Sequence, residues 1–435
     1  ILAQAIWARA ILFQAKSPIE SNSTACALCT MSMLFVVLST WLAPSGVRGI
    51  ARSLGEKQQP LNTRAWGSSS PNEDELAAAI GQNKSATVGE LLSGINAKHI
   101  VNDLFKVLRD DRDLTQTFFG MAWGEDGTTG LTWAAKNGHV LVFELLSNIP
   151  DEKEKLRLLG VSGGLYGLPP LHWAANQGHD DVVAAILGEV SDESRLRLLT
   201  VASHLDRTAL HWAFGRASAK AILDALPDEG QKHLILKARD YAGETPLHLA
   251  ATRGHDHAVA EMLGALSDGA ARLGLLLLPN EAKQETALHL AVYKGHVHVV
   301  KSILVSLSTD ERKLKLLQAR DTEKETALHM AALQYYAGVA SVILNDLSDQ
   351  SKRLELIMER NRLKQTALHI AAARGEQPVL QMLLHAAVEC GGLRDILEAK
   401  DWVGRTAKET ANAHYQWAHA RSLDDALETL GKHNS

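Results

Sequence analysis

One seven-residue phrase returns eight times in this chain, and a chain built on such a period has few ways to fold. It reads TGLTWAA, PPLHWAA, TALHWAF, TPLHLAA, TALHLAV, TALHMAA, TALHIAA and TAKETAN. The copies start at Thr129, Pro169, Thr208, Thr245, Thr286, Thr326, Thr366 and Thr406, 37 to 41 residues apart and most often 40. A fixed period of this kind marks stacked structural units, each touching only its neighbours. Threonine is a good N-cap, because its hydroxyl can accept from a free amide of the first helical turn. The Leu and the Ala pair give a narrow apolar face on which two helices approach closely. Gly138, Gly178, Gly254, Gly295 and Gly375 stand where that helix must stop, and glycine tolerates the left-handed conformation there. A Val/Ile/Leu run then builds a second, antiparallel helix. No pair can bury its apolar faces alone, so the copies must stack into one core.

The residues Thr245-Pro246-Leu247-His248-Leu249-Ala250, followed by Gly254-His255 and by Val259, Met262 and Leu263, resemble the ankyrin repeat. Gly178-His179 with Val182, Val183, Ile186 and Leu187 follows suit, as does Gly295-His296 with Val299, Val300, Ile303 and Leu304. The resemblance covers roughly residues 74–430 and implies an all-α solenoid of stacked antiparallel helix pairs. It also implies that the phrase histidines His172, His211, His248, His289, His329 and His369 bond the loop backbone. Consecutive copies stand about 10 Å apart if sheet-like spacing is a guide, too far to share a zinc ion.

The period exceeds the roughly 33 residues of that family. The surplus holds a second pattern: PDEKEKLRLL, SDESRLRLL, SDGAARLGLL, STDERKLKLL and SDQSKRLELI. Ser or Pro followed by Asp, then Leu-x-Leu-Leu, reads as a capped amphipathic helix, so each repeat is expected to carry an extra short helix at its edge. Such long repeats loosely resemble those of ankyrin proteins in host-associated bacteria. Lys155, Arg195, Arg272, Lys313 and Arg353 form a basic ladder along these segments. Acids three or four residues earlier suggest a self-paired, solvated edge.

The chain divides by composition into six stretches. Residues 1–23 open it, and residues 24–43 are 20 residues without charge, a candidate transmembrane helix or signal-type segment. Residues 44–73 read as a flexible, mildly basic linker, whose charge favours repeats on the cytosolic side of a membrane tether. Residues 74–128 hold a cryptic capping repeat, with Leu76, Ala79, Val88, Leu91 and Leu92 at core positions, plus an inserted helix around 100–108. Seven repeats fill 129–405. Residues 406–435 form the C-terminal cap, where Lys408 and Glu409 replace the core Leu and the His.

Enzyme signatures such as a P-loop, G-x-S-x-G or H-E-x-x-H are missing from the sequence. Cys26 and Cys29 form a C-x-x-C inside the apolar stretch without a second pair, and Cys390 stands alone, so neither a zinc site nor a disulfide framework is expected. A net charge of −5 and an isoelectric point near 6.5 argue against nucleic acid as partner. What the frame leaves over is surface. Trp133, Trp173 and Trp212 share one slot after the histidine position, and Tyr335-Tyr336 replace Gly-His at one turn. The Thr208 copy is short around residues 214–218. Turn-tip residues Gly127, Gly167, Gly243 and Gly404 give way to Asp206, Gln284, Lys324 and Lys364 in the other copies. The expected function is a monomeric, non-enzymatic scaffold that binds a protein through its concave face, without cofactor or metal, either membrane-anchored or secreted. Two alternatives are an effector of a host-associated microbe acting on host proteins and a methyl-lysine reader built on the Trp strip, the latter by resemblance to the aromatic cages of certain histone methyltransferases.

Overall fold

Each copy of the phrase opens a helix immediately after its Thr or Pro. A computed structural model describes residues 78–82, 104–105, 108–123, 127–164 and 167–433, all in the unit Ser70–Ser435. The inner helices are Gly130–Asn137, Pro170–Gln177, Ala209–Trp212, Pro246–Arg253, Ala287–Tyr293, Ala327–Leu333, Ala367–Arg374 and Ala407–Ala413. Each is followed by an outer helix, as in Asp180–Gly188, Asp256–Gly264 and Val297–Val305. A third, edge helix follows in Glu152–Leu159, Asp192–Leu199, Glu229–Leu236, Gly269–Leu276, Asp310–Leu317, Gln350–Ile357 and Leu393–Glu398. Inner helices pack on inner, outer on outer and edge on edge, so the core is one continuous seam. The result is an all-α solenoid with three helices per repeat. Strand is confined, among the described residues, to the pair Ala122–Trp123 and Thr128–Thr129 at the first turn, with Ala122 opposite Thr129.

The seam is dry. In the Thr286 repeat, Leu288, Val292, Val299, Val300, Ile303 and Leu304 have no exposed surface. Each such side chain contributes about 1.5–3 kcal/mol relative to an exposed one. Small residues keep the inner helices close: Ala291, Ala331 and Ala371 are also fully buried.

The edge helices do more than the sequence pattern suggests. Arg195 does pair with Asp192 at 2.6 Å, as self-pairing requires. All five basic side chains also reach backbone carbonyls at helix ends, Arg195 through Leu187 O at 2.9 Å and Arg353 through Leu347 O at 2.7 Å. Lys155 Nζ donates to Glu189 O at 2.9 Å, Lys313 Nζ to Asp346 O at 3.2 Å, and Arg272 to both Leu266 O and Ser306 O. These carbonyls lie at the C-terminal ends of outer helices, where positive charge is favoured. Acids in the first turn complete the staple. Glu152 accepts from the Ser191 amide at 2.8 Å, Glu229 from the Ser267 amide at 2.7 Å, and Asp310 from the Ser348 amide at 2.9 Å. The edge is therefore a cross-repeat clasp, not a solvated face. The ladder was visible in sequence, but the partners of Lys155, Lys313 and, in part, Arg272 and Arg353 lie a full repeat away.

At the C-terminus, Glu409 takes over the missing histidine's cap by accepting from the Thr406 amide at 2.8 Å. Lys408 reaches Asp424 on the closing helix Trp417–His433 at 2.5 Å. Toward the N-terminus, residues 78–81 are helical with Ala79 and Ile80 buried, and Leu104 and Leu108 are buried in helical segments. The candidate membrane segment 24–43, the linker 44–73 and the pair Cys26 and Cys29 lie outside the described residues. Among the described residues no helix is long and apolar enough to cross a membrane.

Candidate protein-binding surface

Before any residue can be assigned to a partner, those occupied in holding the frame must be set aside. The phrase histidines are among them. In the repeats starting at Thr208, Thr245, Thr286, Thr326 and Thr366, the threonine amide donates to the ring Nδ1 three residues on, at 3.0–3.3 Å. An amide can only donate, so Nδ1 is the bare nitrogen and the proton sits on Nε2. That Nε2–H donates to a carbonyl of the next repeat's loop: His172 to Arg207, His211 to Glu244, His248 to Glu285, His329 to Gln365 and His369 to Arg405, at 3.0–3.2 Å. His211, His248, His329 and His369 thus cap their own helix and bolt it to the following turn, whereas His172 makes only the bolt and His289 only the cap. Burial holds His172, His211, His248 and His329 down to about 4, and lowers His289 and His369 as well. His211, His248, His329 and His369 are bonded at both nitrogens, while His172 Nδ1 and His289 Nε2 are buried without a partner. Among the described residues no group of three or more His, Cys, Asp or Glu could hold a metal ion.

The turn tips are also framed from within. Asp240, Asn280, Asp321, Asn361 and Asp401 each accept with one side-chain oxygen from two amides of their own loop. Such side-chain-closed turns fix a loop without a helix or sheet. One backbone bond then joins each tip to the next, as from Tyr241 N to Leu205 O, Arg362 N to Glu323 O and Trp402 N to Leu363 O. All eight tip residues are left-handed, with φ of 55–89° at the glycines and 55–59° at Asp206, Gln284, Lys324 and Lys364. The conformation is constant while the side chain varies. The Asp/Asn rule was missed in sequence, although those residues stand five or six positions before Thr245, Thr286, Thr326, Thr366 and Thr406.

The three tryptophans do not form one exposed strip. Trp173 is only 6 % exposed, and its indole N–H donates to Gly163 O at 3.1 Å, with Lys136 5.1 Å above the ring. Trp133 is half-buried and lies 4.6 Å from the His139 ring. Trp212 is half-buried, with the guanidinium groups of Arg207 and Arg253 at 5.4 and 6.0 Å. An ammonium-binding cage needs free aromatic faces. On Trp173 and Trp212 this chain's own cations already occupy a face. Tyr335 takes the glycine's place at φ 67° and is 48 % exposed, whereas Tyr336 is half-buried against the core. Aromatics that sequence reasoning passed over are more open: Tyr241 is 51 % and Trp402 65 % exposed, both at turn tips. Their signal was position, one residue after the turn-closing Asp.

Comparison with known proteins decides the family. A profile described as "Ankyrin repeats (3 copies)" matches residues 76–195, 218–312 and 262–353, more than half of the chain. A second, "Ankyrin repeat", matches residues 364–393. The chain belongs to the ankyrin-repeat family. Among solved structures it is similar to the ankyrin repeat domain of Bcl-3, described as a unique member of the IkappaB protein family. That match has 22 % identity and a TM-score of 0.45, and covers 60 % of this chain and 99 % of that one. No curated protein matches it significantly in sequence. Ankyrin repeats are generic protein–protein interaction modules, and the fold is a binding scaffold. In this ankyrin protein the invariant positions are consumed by the frame, and the surface carried by tips and inner helices is what remains.

Proposed function

We propose that this protein is a non-catalytic scaffold that binds a partner protein along the row of turn tips and the adjoining inner-helix face. The observation that carries the reading is the division of labour at the tips. All eight tips share one backbone conformation and five of them one set of Asp or Asn closures, yet the outward side chains change from repeat to repeat and include exposed Tyr241, Leu363, Trp402 and Val403. Leu363 and Trp402 belong to adjacent tips joined by a 3.0 Å backbone bond, so their side chains start from neighbouring rungs. Rigid tips lose little ordering entropy on binding, and aromatic anchors on them supply most of the affinity. Trp133, Trp212, Tyr335 and Tyr336 extend this surface along the inner helices.

The test is quantitative affinity capture with the wild type and two variants. Tyr241→Ala/Trp402→Ala is expected to lose its captured protein by at least about tenfold, the effect of removing one or two anchors. Leu234→Ala, which removes a side chain 56 % exposed on the edge helix Glu229–Leu236, should capture the same protein undiminished. Equal capture by the wild type and the tip variant would reject the tip row as the binding face.

A further inference from the structure

At four of the five steps where a glycine follows the inner helix, one side chain of the next repeat fills the corner that glycine leaves. A Cβ built on Gly138 would lie 2.8 Å from the His179 ring, and one on Gly254 2.8 Å from the His296 ring. On Gly295 it would meet the Tyr336 ring at 2.8 Å, and on Gly375 the Gln416 amide at 2.5 Å. The two histidines also donate Nε2–H to the carbonyl two residues before the glycine, His179 to Lys136 O at 3.2 Å and His296 to Thr252 O at 3.0 Å. A planar, hydrogen-bonding side chain is thus the rule at this corner.

One step breaks it. The inner helix Ala209–Trp212 is only 4 residues long, and the residue at the N-cap of the following helix Arg216–Asp224, the filler's position, is Gly215. Gly178 consequently has nothing within 4 Å of its Cβ direction, and it is the exposed member of the series. Phe214 does not substitute, because its ring is turned to the next repeat and stacks on His255 at 4.9 Å and 18°. Two residues before this glycine, Asn176 stands where Lys136 and Thr252 supply their carbonyls, and Asp180 lies beside Gly215. The Asp180 carboxylate lies 3.7 Å from the Cβ direction of Gly215 and is also bonded by the Ser218 hydroxyl.

We infer that this vacant rung is a docking slot for a histidine side chain on an extended segment of the partner protein. The chain itself shows what fits: an imidazole lying on the glycine with one N–H on the carbonyl. A carboxylate beside the slot suits the second ring nitrogen, which can carry a proton, and so favours imidazole over phenol or amide. The inference rests on the protein-binding reading above, but it concerns a different place from the tip row, so the two can fail separately.

Free imidazole is the first probe, with N-methylimidazole, which lacks the neutral ring's N–H, as control. Titrated at neutral pH and followed by amide NMR, imidazole should shift Gly178, His179 and Gly215 saturably, and N-methylimidazole should do so more weakly. Gly215→His supplies the missing rung from within; it should melt higher than the wild type and lose the imidazole response. Gly215→Gln, which copies the filler at Gln416, serves the same purpose if the histidine variant does not fold. Random-peptide display on the wild type should then enrich peptides whose binding drops at least tenfold both on Gly215→His and when their own histidine is changed to alanine. No saturable shift with imidazole, an undiminished shift in the filled variants, or only peptides indifferent to Gly215→His would each overturn the slot. Those results would leave the tip-row reading standing. Loss of the tip-row effect with the imidazole response intact would do the reverse.

Discussion

Pro169 is the one phrase-opening residue that cannot cap, and its consequence is local and measurable. Proline has neither hydroxyl nor amide hydrogen, so His172 keeps its Nε2 bond to Arg207 while its Nδ1 is buried without a partner. The threonines that open the neighbouring phrases sit at φ −75 to −100° and ψ 165–168°, and Pro169 sits at φ −60° and ψ 161°. Threonine therefore fits the existing backbone. Pro169→Thr would give His172 the amide donor and hydroxyl found beside the other rings. Satisfying a buried nitrogen is worth about 1–2 kcal/mol. The added freedom of the unfolded chain returns about 0.4–1 kcal/mol of that. A net gain of roughly 0.5–1 kcal/mol is expected from urea denaturation. A variant less stable than the wild type would show that the orphan nitrogen costs nothing.

At the scale of elements, the edge helices decide how tightly one repeat is held to the next. Asp310 accepts from the Ser348 amide, the Ser348 hydroxyl at 2.5 Å and the Asp349 amide at 2.9 Å, and these bonds, the hydroxyl first, hold its carboxyl below the usual range. Asp310→Ala should destabilise by about 1–3 kcal/mol, since three donors lose a charged acceptor while water can still reach them. Amide exchange should accelerate first at Ser348 and Asp349, ahead of the inner helix Ala327–Leu333. Uniform acceleration across both repeats would argue that the clasp is not a local unit. This element also shows what the sequence could and could not disclose. Inner helices, outer helices and five edge helices were legible because capping, apolar spacing and period are local signals. The edge helix Glu229–Leu236 escaped because PDEGQKHLIL breaks the Leu-x-Leu-Leu pattern, though Asp228 still caps it through the Gln231 amide. The clasp partners and the cation over Trp173 depend on contacts between repeats, whereas the Asp and Asn turn closures are local bonds of one loop. In the same way Trp133, Trp173 and Trp212 share a slot in sequence, while the Gly163 carbonyl and Lys136 decide that Trp173 is closed.

For the whole molecule, the histidine bolts make the stack acid-sensitive in a window set by their own titration. His172, His211, His248 and His329 are held near 4 by burial, against 6.5 for an ordinary imidazole. A lowered native value means that the unfolded chain takes up protons the folded one refuses. Stability is therefore complete above pH 6.5 and falls as pH drops toward 4. The limiting slope is about 1.4 kcal/mol per pH unit for each ring, or roughly 2 kcal/mol each by pH 5. Two groups oppose this. Glu244 and Glu325 are raised, by burial first and by Asp240 and Asp321 next, and they gain stability on acidification. Two carboxylates do not offset four rings, so the net effect keeps its sign. Glu152, Asp310 and the other clasp acids are lowered, so their contribution is lost as pH falls from the ordinary carboxylate range downward, at the acid end of the histidine window. Urea midpoints measured from pH 7.5 to 5 should thus fall before the clasp acids titrate, and His248→Gln should flatten that fall by about one ring's share. Because neighbouring repeats share each bolt, hydrogen exchange at pH 5.5 should show loosening at the turns bonded by His172, His211, His248 and His329. Constant midpoints across that range would mean that the buried rings reach water without unfolding, and the bolts would not be holding the stack.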